Sequence, residues 1–278
     1  MEIKGKVAIV TGASSGFGKA LSERLVKLGA FVVLGDITEP AGRALEAQLN
    51  SSRPKSAVFV KCNVTDRRDL QNLFTVAKKQ FGEINIMVNN AGIGEKMPFF
   101  EDKEDGWRIV VDIDLTAVIM GTRMAVNEMV KQGKGGAIVN TASLAGMYPQ
   151  PLQPVYSAVK GGVVMFTRSL DHLADDHGIY VNAVCPSFSP TGILDSEAGR
   201  AISATTPLVP VELVIDAFIK AIQDETLKGA GIDSRCGIAH VLTEPMCGPP
   251  GATIRVTPKY GIDVPTHRGG KPVPKAKM

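Results

Sequence analysis

The stretch Thr11-Gly12-Ala13-Ser14-Ser15-Gly16-Phe17-Gly18 constrains this chain more than any other. It follows a short apolar run, Val7–Val10, and opens a helix-period segment that reaches Leu28 and stops at Gly29. Glycines in such a turn keep side chains away, so backbone and a pyrophosphate can come close. The helix behind it offers free N–H groups and the positive end of its dipole to the phosphate charge. Glycine-rich loops are common; the strand–turn–helix order makes this one a candidate nucleotide site.

The same unit recurs. Strand-like runs at Phe31–Leu34, Ala57–Val60, Ile84–Val88, Ala137–Asn140 and Tyr180–Val184 alternate with helix-period segments. Those segments run over about Pro40–Leu49, Asp66–Phe81, Asp105–Lys131, Val155–Asp175 and Val211–Ile222, with a weak last strand at Gly231–Ser234. This alternation predicts an α/β fold of Rossmann type, a doubly wound parallel sheet with helices on both faces. Residues 1–244 read as one dinucleotide-binding domain. From Pro245 onward the prolines at 245, 249, 250, 258, 265, 272 and 274 predict an irregular tail, 245–278.

Charge follows the same division. The net charge is +3, but six basic residues and one acid from Gly251 onward give the tail +5 and leave −2 for the rest. The tail lacks the interleaved aromatics of a nucleic-acid surface and reads as a solubilising end, so no nucleic-acid partner is expected. No apolar run is long enough to span a membrane. Cys62, Cys185, Cys236 and Cys247 have neither zinc-site nor disulfide spacing, which predicts free thiols, no metal and a cytoplasmic setting.

Two further clusters carry chemistry. Asp36 ends the second strand, where a carboxylate accepts hydrogen bonds from both adenosine ribose hydroxyls and repels a 2′-phosphate; the expected cofactor is therefore NAD. Asn89-Asn90-Ala91-Gly92 closes the fourth strand with small and amide side chains suited to the same crevice. Tyr156 and Lys160 lie four apart on a predicted helix, on one face, with Ser143 at the end of the fifth strand. A lysine cation lowers the pKa of a neighbouring phenol from its ordinary value of about 10. The phenolate can then take an alcohol proton while hydride leaves the same carbon, with Ser143 holding the substrate oxygen.

With these motifs in hand, the chain resembles the short-chain dehydrogenase/reductase family over nearly all of 4–238. The matching residues are Thr11-Gly12-x-x-x-Gly16-x-Gly18, Asn89-Asn90-Ala91-Gly92, Ser143, Tyr156-x-x-x-Lys160 and Asn182-Ala183-Val184-Cys185-Pro186. The resemblance implies a dinucleotide held by Gly12, Ser15, Gly16, Phe17, Gly18, Asp36 and Ile37. It adds Cys62, Asn63 and Val64, then Asn90, Ala91 and Gly92. Tyr156 and Lys160 follow, with Pro186, Ser187 and Phe188. It implies Ser143, Gln153 and Tyr156 as contacts to a substrate hydroxyl. It also implies a homodimer or homotetramer built on the two long helices, with Met124, Val126, Met129, Val163, Met165 and Phe166 as candidate seam residues.

Three positions depart from the family pattern. Asp114 replaces the usual asparagine, keeping its backbone carbonyl while adding charge near Lys160; it is carried here as a candidate catalytic residue. Ser187 replaces a glycine beside the nicotinamide, and Asn63 an aspartate beside the adenine. Met147, Tyr148, Phe188, Ile193, Leu194 and Leu208 flank the catalytic groups and predict a substrate, alcohol or ketone, with an apolar body. The readings left open are a hydroxyl dehydrogenase in lipid metabolism, a carbonyl reductase or steroid or terpenoid dehydrogenase, and a catalytically weakened NAD-binding sensor.

Overall fold

The computed structural model describes residues 1–191, 207–227, 231–234, 253–257 and 261–263. In its first half, strands β1 (Val7–Thr11), β2 (Phe31–Asp36), β3 (Ala57–Lys61) and β4 (Ile86–Asn89) alternate with helices α1 (Gly16–Lys27), α2 (Glu39–Ser52) and α3 (Arg67–Phe81). The second half holds α4 (Trp107–Val111), a π turn (Asp112–Thr116), α5 (Ala117–Gln132), β5 (Gly136–Thr141), α6 (Pro154–Arg168), α7 (His172–His177), β6 (Ile179–Pro186) and α8 (Val211–Gln223). Strands β7 (Gly231–Ser234), β8 (Thr253–Thr257) and β9 (Gly261–Asp263) complete the sheet.

The sheet order is β3-β2-β1-β4-β5-β6-β8-β7-β9, with β1 to β6 all parallel. Alternate side chains point to opposite faces, as strand geometry requires. Ala8, Val10, Val32, Leu34, Ile86 and Val88 pack beneath α1, α2 and α8, while Val7, Ile9, Val33 and Met87 pack beneath α3 and α5. Helix α3 shows how a helix is fixed to its face. The Asp66 side chain caps it by accepting from the Arg68 N–H, Gly82 ends it, and Leu70, Leu73, Phe74 and Ala77 form its buried stripe. Burying each of the larger members contributes about 1.5–3 kcal/mol.

Three expectations need correction. The long helix over 105–131 is broken by the π turn, where an extra residue enters the ladder and turns Asp114 inward to full burial. The helix over 155–175 is two helices, because the chain tightens at 169–171 through Leu170 N–H to Thr167 O and Leu173 N–H to Leu170 O. The tail is not irregular throughout. Thr253-Ile254-Arg255-Val256-Thr257, rich in β-branched residues and bounded by Gly251 and Pro258, forms a parallel strand beside β6, and Gly261–Asp263 pairs antiparallel with it. The expected last strand at Gly231–Ser234 exists but lies outside β8.

The order reverses between β1 and β4. In open α/β sheets that reversal, at the carboxyl ends of the strands, is where a crevice forms. The backbone N–H groups of Asn90 and Ala91 both donate to Thr11 Oγ1, at 3.0 and 3.2 Å, closing the ends of β4 and β1 together.

Candidate active site

The glycine turn is held by backbone geometry. Gly12 has φ +62°, a region costly for other residues, and a Cβ on it would sit 2.8 Å from Ala91 Cα. A Cβ on Gly18 would collide with the Gly12 carbonyl oxygen. Asn90 reaches across from β4 and donates to the carbonyls of Thr11 and Gly12, at 2.9 and 3.2 Å. Ser15 stands at the N-cap of α1 without a side-chain cap bond, and its residue is exposed. The first-turn N–H groups of α1 thus lack an internal side-chain acceptor, a donor set that fits a phosphate. Phe17 packs its ring against the core under the turn.

Asp36 does more than end β2. Its carboxylate accepts from the Ser14 N–H at 2.9 Å and the Thr38 N–H at 2.8 Å, so it clamps the glycine turn against the sheet. Each oxygen keeps a further lone pair for a ribose hydroxyl. Ile37, beside it, is 62% exposed, an apolar side chain left at the rim. Cys62 and Val64 are buried and Asn63 is exposed. Burial, reinforced by Asp69, Asp36 and Asp66, pushes the Cys62 thiol up to about 12, so it stays an inert thiol. Asn63 Oδ1 accepts from the Thr65 N–H and hydroxyl. Pro186 ends β6, with Ser187 and Phe188 half-buried after it.

At the other side of the crevice, α6 carries Tyr156 and Lys160 past the ends of β5 and β6. Ser143, two residues after β5, caps a short turn (Leu144–Gly146), its hydroxyl accepting from the Ala145 N–H. Gly146 lets that turn lie against α6, since a Cβ there would come within 2.5 Å of the Lys160 carbonyl carbon. Lys160 is buried. Its ammonium donates to the Thr141 carbonyl at 2.9 Å, lies 2.9 Å from Asp114 Oδ2, and sits 5.4 Å from the centre of the Tyr156 ring. Asp114, wholly buried, also accepts the Ile93 N–H on Oδ1 at 2.8 Å. Beneath the site, Asn89 donates to Thr122 Oγ1 and Asn140 Oδ1, and Asn140 donates to Thr167 Oγ1. This buried ladder joins β4, β5, α5 and α6, and losing one member leaves partners unsatisfied at about 1–3 kcal/mol.

Lys160 acts on the Tyr156 phenol in the expected sense, but the net direction of its pKa is upward from the ordinary value. Burial is the largest cause. Lys160 and hydrogen bonding with Ser143 pull the value down, but Asp114 and Cys185 push it up. Burial also works against the Lys160 cation, yet the opposed charge of Asp114, with Tyr156 and Cys185, more than compensates and raises its pKa. Lys160 therefore stays an ammonium.

Not every candidate gathers here. Gln153 is the N-cap residue of α6, and its amide faces Gly94, where a Cβ would lie 3.2 Å from Nε2. Met147 packs with Leu115 and Leu144 against the small core of Val118, Val163 and Cys185. Tyr148 is 45% exposed, Phe188 and Leu208 are half-buried, and Ile193 and Leu194 lie outside the described residues. Met129 and Val163 are fully buried within the chain and cannot form a seam; Met165 is 59% exposed, while Met124, Val126 and Phe166 are half-buried. Sequence reasoning missed Glu95, whose carboxylate accepts the Tyr156 backbone N–H at 2.7 Å from 61 residues away, and the Thr141 carbonyl. Neither leaves a local sequence signal.

Comparison with known proteins agrees with this architecture. The profile of the short chain dehydrogenase family matches residues 6–200. The chain belongs to the short-chain dehydrogenases. It is 36% identical over 249 residues to the human 15-hydroxyprostaglandin dehydrogenase [NAD(+)], covering 83% of this chain and 91% of the relative. The bovine protein of that name matches at 36% over the same shares. A 3beta-hydroxysteroid dehydrogenase 2 of Eggerthella lenta is 36% identical over 209 residues, 73% of this chain and 80% of that one. Among the described residues, no helix is long and apolar enough to cross a membrane.

Proposed function

We propose that this short-chain dehydrogenase moves a hydride between NAD and a secondary alcohol or ketone with an apolar body. The observation that carries the reading is the convergence of Ser143, Tyr156 and Lys160 at the carboxyl ends of β5 and β6, opposite the clamped glycine turn. Bound NAD would supply the hydride acceptor. Gly12 to Gly18, Asn90 to Gly92 and Asp36 would hold it, and the Asp36 carboxylate at the ribose end favours NAD over its 2′-phosphorylated form. Within the chain, Ser143 holds the substrate oxygen toward Tyr156. The Tyr156 phenolate takes the alcohol proton on oxidation, and the phenol returns it to the carbonyl oxygen on reduction. Lys160 keeps a positive charge beside that tyrosine throughout.

An apolar substrate is supported from two sides. The relatives are named for a hydroxyprostaglandin and a hydroxysteroid. In this chain Met97, Phe99, Phe100, Tyr148 and Leu152 are exposed on two loops that meet where Glu95 touches α6. The exposed Met165 and half-buried Phe166 of α6 support a homo-oligomer, and the buried Cys62 and Cys185, neither in a disulfide, suit a cytoplasmic setting.

The test is a panel of apolar secondary alcohols with NAD, read by NADH formation. Turnover on at least one class supports the reading. Tight NAD binding with no turnover on any would instead favour a sensor with weakened chemistry, which the Asp114–Lys160 ion pair makes the specific rival.

A further inference from the structure

We infer that Asp114 is a positioning residue that sets the proton balance of the site: by pairing with Lys160 it holds the ammonium in place and cancels much of its pull on Tyr156, so phenolate forms only at higher pH than a neutral side chain would allow. The inference rests on the proposed dehydrogenase chemistry for its kinetic consequence, but not for its electrostatics.

The geometry is specific. Asp114 is turned inward by the π turn, is 0% exposed, and makes two contacts that reach different elements. Oδ1 takes the Ile93 N–H, on the loop just past Asn90–Gly92, and Oδ2 lies 2.9 Å from Lys160 Nζ. One carboxylate therefore ties the cofactor-side loop to the catalytic helix. A buried negative charge that close to the lysine offsets its field at the half-buried Tyr156, because Asp114 and Lys160 are both withdrawn from water. Among the described residues, the other groups facing the phenol are few. Lys160 and Ser143 favour the phenolate, Cys185 on β6 disfavours it, and Glu95 sits on the Tyr156 backbone N–H. On the elements packed against α6, Arg108 and Asp112 are exposed, and Arg108 is paired with Asp105. Removing the Asp114 charge leaves the lysine field unopposed, so the tyrosine proton is released at lower pH.

The experiment compares wild type with Asp114→Asn, and with Asp114→Ser, which also removes the charge and leaves room for a water. Tyrosinate absorbance is followed against pH in each protein and in the same protein carrying Tyr156→Phe, so the difference isolates Tyr156 among the four tyrosines. Both variants should show a tyrosinate midpoint lower by about one pH unit or more. The pH midpoint for alcohol oxidation should fall with it. Unchanged or higher midpoints overturn the inference, as does failure of both variants to fold, which would make Asp114 structural. If no protein oxidises any alcohol, the dehydrogenase reading fails, and the absorbance comparison still decides the role of Asp114.

Discussion

The two ends of the crevice are built from different materials. The proposed nucleotide end is backbone: a left-handed Gly12, a Gly18 pressed on the Gly12 carbonyl, and Asn90 and Asp36 turning their side chains to main-chain groups. The proposed catalytic end is charge: a buried ammonium, a buried carboxylate 2.9 Å away, and a phenol whose pKa is raised by burial and only partly relieved by the cation. A backbone site is fixed by sterics and changes little with conditions. A charge-built site depends on a balance of opposed effects, so one side chain or one pH unit can move it.

Perturbations of the two ends should therefore differ in kind. The largest effect is expected from Tyr156→Phe, which should cut turnover by about 10²–10⁴-fold while NAD binding, followed by fluorescence, stays intact. An equal loss of both would erase the distinction between the ends. Gly18→Ala forces a methyl group into the Gly12 carbonyl and should lower stability by about 1–3 kcal/mol in thermal unfolding, with NAD binding lost. Wild-type stability would mean the turn is not sterically set. Asp36→Ala removes the acceptor for two backbone donors; an affinity for NAD about tenfold weaker and a narrowed preference over NADP are expected from calorimetry with both cofactors. Glu95→Ala should cost least, about 0.3–1 kcal/mol of helix-end stabilisation and a several-fold fall in kcat, while Glu95→Gln, which keeps an acceptor, should stay near wild type. A large loss in the glutamine variant would show that the Glu95 charge matters beyond positioning.

This contrast also explains what the sequence could reveal. Strand and helix identities follow from periodicity, and the glycine turn from local sterics, because both are written within a few residues of where they act. Tyr156 and Lys160 are legible for the same reason, one helical turn apart. Glu95 acting on Tyr156, Asn89 on Asn140, and Thr141 on Lys160 depend on a loop, two strand ends and α6 meeting in space, which no local pattern encodes. The lysine that lowers the Tyr156 pKa is visible in sequence four residues away, while the larger desolvation that raises it is not. The strand at Thr253–Thr257 was hidden by the prolines around it, although its own β-branched run was the better guide.

The most direct test measures both ends of the crevice at once: NAD affinity and kcat/KM for alcohol oxidation, on the same protein across a pH series. The account predicts a nearly flat NAD affinity, because Lys160 stays charged and the turn is backbone-built, beside an oxidation rate that climbs by about tenfold per pH unit below the Tyr156 midpoint. An oxidation rate independent of pH, or one that only tracks a change in cofactor affinity, would contradict it.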